Sequence, residues 1–331
     1  DLWYSEGKIN YYYGGQYFAV FLTKLSGTKV ELTYNLMRTF VAGLAFIMPF
    51  SLVHQMVKDR LGRNISGWKK KLPSVTGFLA GIAVSVAGNM HYVVYACVIP
   101  WIQKLKGEEV SSYWFPDATR YIGFNPDVAD KTIHEFPCYS FILGDLHAHM
   151  INIMIVLLIM ALLYSYLKSN QKASGTNIIK QCLCMPQLYI IGIIWGLCNF
   201  TNYWDYIIYA VVILVTIIFA NLTIKEKGAF KRILSQFGIT LIIAWLAAKP
   251  FTIYFESIFK GVGVAENHSK LYQLGVLWGI PVAASITFIV IFIVSFIKNA
   301  KRIQVDSSEK GIKKKRLKNA LYAIKIEDLF V

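Results

Sequence analysis

Charge is scarce in this chain, and negative charge is scarcest. Only 16% of the 331 residues are charged, and 19 Asp and Glu face 34 Lys and Arg. A disordered or ordinary soluble chain carries more charge and fewer apolar residues, so the composition excludes both. Cysteine is sparse too, at five residues, and Cys182 with Cys184 makes a C-x-C that lacks the second half a zinc site needs. No disulfide framework follows from an odd set placed in or beside apolar runs. Nucleic acid is excluded as a partner despite a formal charge of +15, because the basic residues stand in short clusters between apolar runs with no recognition module among them.

What is abundant is apolar surface. Hydrophobic residues make up 56% of the chain and the mean hydropathy is +0.47, the composition of a polytopic membrane protein. Its spans must be helical, because a lipid core offers no partner to unpaired backbone groups. The expected fold is therefore an all-α transmembrane bundle in a single membrane domain. Apolar blocks run from Leu32 to about Val57, from Leu72 to near Gly88, and from Met150 to Leu167. Further blocks cover Pro186 to Phe200, Tyr206 to Ile224, Ile233 to Ala248 and Leu274 to Ile297. The long stretch from Leu72 to Trp101 is interrupted at Gly88-Asn89-Met90-His91, which predicts a span followed by an interfacial segment.

Basic loops alternate with mixed or acidic ones. Lys58 to Lys71, Lys168 to Lys180, Lys225 to Arg232 and the tail after Ile297 are basic, whereas Lys104 to Glu135 and Lys249 to Lys270 are not. The positive-inside rule then predicts seven spans with an external N-terminus and a cytoplasmic C-terminus. Residues 1–31 read as an external interfacial segment, 32–297 as the spanning part and 298–331 as a cytoplasmic basic tail. The chain opens at Asp1 in a polar, aromatic stretch and stops after a basic one, as expected for a piece of a longer protein.

In this topology the unusual polar residues fall at one face. Chief among them is Asp145-Leu-His147-Ala-His149, at the mouth of the run Ile151 to Leu167. Ionisable groups at that depth are costly and mark a functional site. Asp145, His147 and His149 offer hard oxygen and imidazole donors suited to a divalent metal; hydrogen-bonded capping of the following helix is the alternative. On a helix Asp145 and His149 share a face, whereas in an extended loop all three point one way. Asn202-Tyr-Trp204-Asp205 lies in a short turn, where Asp205 either caps the next helix or takes part in catalysis. Arg120 pairs with Asp117 or clamps a phosphate, and Arg38 snorkels or faces one. Tyr11, Tyr12, Tyr13 and Tyr17 suit an aromatic belt or a binding surface, and Gly14 and Gly15 let the backbone turn or approach a ligand closely.

Taken together, Tyr11-Tyr-Tyr-Gly14, Tyr34-Asn-Leu36, Gly88-Asn89, His134-Glu-Phe-Pro137, Ser140-Phe141, Gly144-Asp-Leu-His-Ala-His149 and Asn202-Tyr-Trp-Asp205 resemble the YYY-type membrane proteins, the DUF2298 family. Such proteins look like relatives of the GT-C glycosyltransferases. The resemblance implies a GT-C-like bundle and inverting sugar transfer from a polyprenyl-phosphate donor at the external face. The acidic motif that GT-C enzymes keep after their first membrane helix is missing here; in this family it should lie upstream of the Tyr-Tyr-Tyr segment.

That activity needs a carboxylate base and positive charge or a metal at the leaving phosphate. Asp145, Glu135 and Asp205 are the candidate catalytic carboxylates, with Asp145 foremost. Arg120, Tyr12, Tyr13, Asn89, Asn202 and Trp204 are candidate substrate contacts, and a divalent metal is a candidate cofactor. The partners expected are the bilayer and a polyprenyl-phosphate-linked sugar. Other readings are a transporter or channel for a polar or lipid-linked solute, a metal-dependent membrane hydrolase, and a structural subunit.

Overall fold

A computed structural model describes residues 6–7, 9–62, 66–170, 182–224, 228–256, 261 and 263–305. Its regular structure is helical, apart from a single β-bridge between Phe124 and Asp127 among the described residues. The longer helices are α1 (Gly14–Ser26), α2 (Val30–Leu61), α3 (Leu72–Ser85), α4 (Ile99–Lys106) and α5 (Pro137–Leu143). They continue as α6 (Ala148–Asn170), α7 (Pro186–Thr201), α8 (Tyr203–Leu222), α9 (Ala229–Thr252) and α10 (Leu271–Val305).

Five of these helices, α2, α6, α8, α9 and α10, are long and apolar enough to cross a membrane. The two other expected spans correspond to shorter helices. At 1.5 Å per residue, α3 with 14 residues and α7 with 16 fall below the 30 Å of a hydrocarbon core. The break expected at Gly88 is present: α3 stops at Ser85, and helix resumes at 91–106 through a π-helical stretch, Val93–Val98.

Small residues set the closest helix contacts. A Cβ at Gly196 would lie 2.5 Å from the Ala244 carbonyl oxygen and one at Gly192 2.8 Å from that of Thr240. The Gly-x-x-x-Gly face of α7 thus lies directly on the backbone of α9, as small residues allow where helices pack in lipid. Around this seam α6, α7 and α8 bury Ile159, Leu163, Tyr166, Leu188, Trp195 and Ile213. A second apolar cluster joins Met37 and Val41 of α2 to Met150, Ile151 and Met154 of α6, and α6 is the shared wall of both.

One end of the bundle holds a buried polar network. Gln236 accepts from the Tyr166 hydroxyl (2.7 Å) and from Asn221 Nδ2 (2.6 Å), and Arg232 Nε donates to Asn221 Oδ1 (3.1 Å). Arg232 is therefore not a loop residue as its sequence neighbours suggest. It lies inside α9, 2% exposed, because α9 begins at Ala229 and its first turn enters the bundle. Lys168 likewise belongs to α6, near Asp59 (3.6 Å), and the final helix extends to Val305 before the basic run Lys313 to Arg316, which lies outside the described residues.

Candidate functional site

The segment from Glu135 to His149 is built as helix, turn, helix. α5 ends in Gly144, whose φ of 73° is the left-handed geometry that glycine adopts without strain. The amides of Gly144 and Asp145 both donate to the Ser140 carbonyl (2.8 and 3.1 Å) and close the α5 end. Residues 145–147 are then non-helical, and α6 starts at Ala148. The three polar side chains of Asp145-x-His147-x-His149 therefore share neither one helix face nor one extended strand; the motif straddles the boundary.

This turn brings Glu135 back onto the histidines. His147 Nδ1 lies 3.3 Å and His149 Nε2 3.5 Å from Glu135 Oε2, and one donor atom of each residue lies within 4.8 Å of the other two. Asp145 stands behind them, its Oδ2 3.7 Å from His147 Nε2. The set within metal-ligand reach is thus Glu135, His147 and His149, with Asp145 beside His147 rather than in the trio. Ser140 Oγ donates to Glu135 Oε2 (3.2 Å) and lies 3.5 Å from His149 Nε2.

Two further elements hold the turn. Gln16 of α1 donates to the Leu146 carbonyl (2.9 Å). Gly14 and Gly15 seat α1 on the bundle, since a Cβ there would lie 2.5 Å from Phe200 Cδ1 and 2.8 Å from Ile151 Cδ1 respectively. Of the roles expected for this glycine pair, the structure displays close approach, to protein side chains. From α2, the Arg38 guanidinium packs directly against Gly144. Its Nη1 donates to Asn35 Oδ1 (3.0 Å), while Nε is buried without a hydrogen-bond partner among the described residues. This side chain lies on the site turn.

The other candidates occupy distinct places. Asp205 lies in the first turn of α8, where Asn202 is the N-cap residue. Its Oδ2 accepts from Asn152 Nδ2 (2.5 Å) and Asn202 Nδ2 (2.8 Å), and Asn152 Oδ1 accepts from the Thr201 hydroxyl (2.5 Å). Asp205 thus joins α6, α7 and α8. Asn89 donates to the Ala118 carbonyl (2.8 Å) and accepts from the His91 amide (3.0 Å), holding the chain at the break after α3. Arg120 donates to the Tyr139 hydroxyl (3.4 Å) and lies over the Trp114 ring, with the link to Asp117 running through backbone, Arg120 N to Asp117 O.

Tyr12 lies against Tyr11 with the rings tilted (4.3 Å between ring centres), whereas Tyr13 packs edge-on to Phe200 (5.0 Å). Trp204 is exposed beside Tyr203. Burial, then Tyr12 and the Asp145 charge, push the Tyr11 hydroxyl above the usual phenol range. The His134 imidazole is pushed down by burial, with both ring nitrogens unpartnered among the described residues. Two contributors, Asn152 and Gln16, are not among the residues expected from sequence. Their signals are a lone Asn shortly after His149 in an apolar run, and a Gln directly after the glycine pair.

An apolar groove of about 620 Å³ lies beside the turn, lined by α1, α2, α6 and α7 through residues such as Gly15, Phe40, Met48, Leu158 and Phe200. α1 is common to both, with Gly14 and Gly15 in the groove wall and Gln16 on the turn.

Helices of membrane-spanning length and a polar cluster at their end define a polytopic integral membrane protein. No curated protein and no solved structure matches the chain. Residues 1–326 match the family described as Uncharacterized membrane protein (DUF2298), and the chain belongs to that family.

Proposed function

We propose that this protein transfers a sugar from a polyprenyl-phosphate donor to an acceptor hydroxyl at the external membrane boundary, on a GT-C-like plan of seven spans. The observation that carries this reading is the meeting of three features: the carboxylate and imidazole turn, the Arg38 guanidinium on Gly144, and the adjoining apolar groove. A lipid-linked phosphosugar has three parts of matching polarity: an apolar chain, a phosphate and a sugar. The groove suits the prenyl chain, being within the volume range of ligand clefts. The guanidinium suits the phosphate.

In this reading Asp145 is the general base. Its side chain is about half exposed, 48%, while Asp205 is occupied by two amide donors and Glu135 is mostly covered at 20%. The acceptor oxygen attacks the anomeric carbon as the bond from that carbon to the phosphate oxygen breaks. The hydroxyl proton passes to Asp145, and the departing polyprenyl phosphate leaves its charge beside Arg38. Hydrolysis is a second reading, favoured by the imidazoles beside Glu135; water is then the acceptor.

The test is the full-length protein in proteoliposomes supplied with radiolabelled polyprenyl-phosphate mannose or glucose. Transfer gives labelled acceptor and free polyprenyl phosphate, whereas hydrolysis gives free sugar. Asp145→Asn is expected to insert normally and lose about 10²–10⁴ in rate, the size of a lost acid–base group. No donor consumption with either sugar, or an unchanged rate in Asp145→Asn, refutes the assignment.

A further inference from the structure

We propose that Glu135, His147 and His149 bind one divalent transition-metal ion. The bond lengths of such ions set how far apart their ligand atoms sit. With ligands about 2.1 Å from the metal, neighbouring donor atoms are roughly 3.0 Å apart in an octahedron and roughly 3.4 Å in a tetrahedron. The Glu135 oxygen lies 3.3 and 3.5 Å from the two imidazole nitrogens. The same separations suit imidazole–carboxylate ion pairs as well as shared ligation of one ion; among the described residues the side-chain hydrogen bonds in the cluster involve the Ser140 hydroxyl, and neither imidazole makes one to the Glu135 carboxylate.

The surroundings have the form of an outer shell. His147 turns Nδ1 toward Glu135 and its other nitrogen, Nε2, toward Asp145 at 3.7 Å. At that distance the contact is an ion pair rather than a hydrogen bond, and a carboxylate beside the far nitrogen of a ligating imidazole raises its basicity. Ser140 steadies the Glu135 oxygen. Two nitrogens and one oxygen favour zinc, cobalt, manganese or iron over magnesium or calcium. Three protein ligands with the imidazoles 48% and 39% exposed leave positions open, as in reactive rather than structural sites. An open position can take a phosphate oxygen. That half of the inference rests on the proposed donor, whereas ion binding does not.

The experiment uses the purified full-length protein in detergent, stripped with EDTA and titrated with Zn²⁺ by calorimetry and with Co²⁺ by visible absorption. One equivalent of each is expected, with cobalt bands showing imidazole ligation. Glu135→Gln should weaken binding at least tenfold, and His147→Ala with His149→Ala should abolish it. Asp145→Asn should keep the stoichiometry and lose about 10–100-fold in affinity, as outer-shell substitutions do. Size-exclusion profiles check that each variant is folded. Absence of saturable binding to the folded wild type overturns the proposal, as does undiminished binding in the folded double-histidine variant. Stoichiometric metal without sugar transfer refutes only the donor reading; transfer by a protein that binds no metal refutes only the ion.

Discussion

Replacing Gly144 with alanine puts a methyl group where the Arg38 guanidinium lies. Two costs add. The backbone at φ 73° is left-handed, which disfavours alanine by about 1–2 kcal/mol. The guanidinium must also leave its seat, and its hydrogen bond to Asn35 Oδ1 (3.0 Å) is exposed, so that loss adds at most about 1 kcal/mol. The expected total is about 1–3 kcal/mol, read as denaturant unfolding in detergent micelles by tryptophan fluorescence. In an Arg38→Ala background the second cost disappears and Gly144→Ala should cost only the backbone part. The double-mutant cycle should therefore show coupling of up to about 1 kcal/mol. Donor turnover gives a parallel readout: if Arg38 faces the leaving phosphate, either single variant is slowed and the double variant is little slower than Arg38→Ala. Equal stability costs of Gly144→Ala in both backgrounds would falsify the seating of Arg38 on the turn.

Asp205→Ala leaves the Asn152 and Asn202 amides without their acceptor, and Asn152 is fully buried. It should cost about 2–6 kcal/mol of stability at about 1–3 kcal/mol per stranded group; a folded variant of wild-type stability but without activity would reverse the roles of Asp205 and Asp145. For topology, single cysteines placed in the Lys58–Lys71 loop and near Asn202 should label from opposite sides of the membrane, and labelling from one side would overturn the proposed seven-span order.

Much of the fold was legible because lipid imposes a simple rule: a span must be apolar for its whole length and helical. The spans of α2, α6, α8, α9 and α10, and the interruption at Gly88, follow from hydropathy and glycine placement. Hydropathy does not find helix ends, which depend on what the first turn packs against. Charge alone misplaces such an end at Arg232. Basic and next to Lys231, it reads as a loop residue, yet it enters the bundle because Asn221 gives it a partner.

The candidate site divides in the same way. Asp145, His147 and His149 stand out in sequence because charge at the mouth of an apolar run is costly. That Glu135 joins the two histidines, with Asp145 set behind His147, depends on the left-handed turn at Gly144, which folds α5 back toward α6. Sequence spacing cannot show which carboxylate faces the imidazoles, because the motif crosses from coil to helix at Ala148 and loses a single period. Arg38 and Gln16 lie more than 100 residues from the turn they touch. Sequence by itself determined the membrane class, the five helices of membrane-spanning length and the polar motif; tertiary packing alone decided which side chains meet, since such contacts require separate helices to bury their apolar faces together.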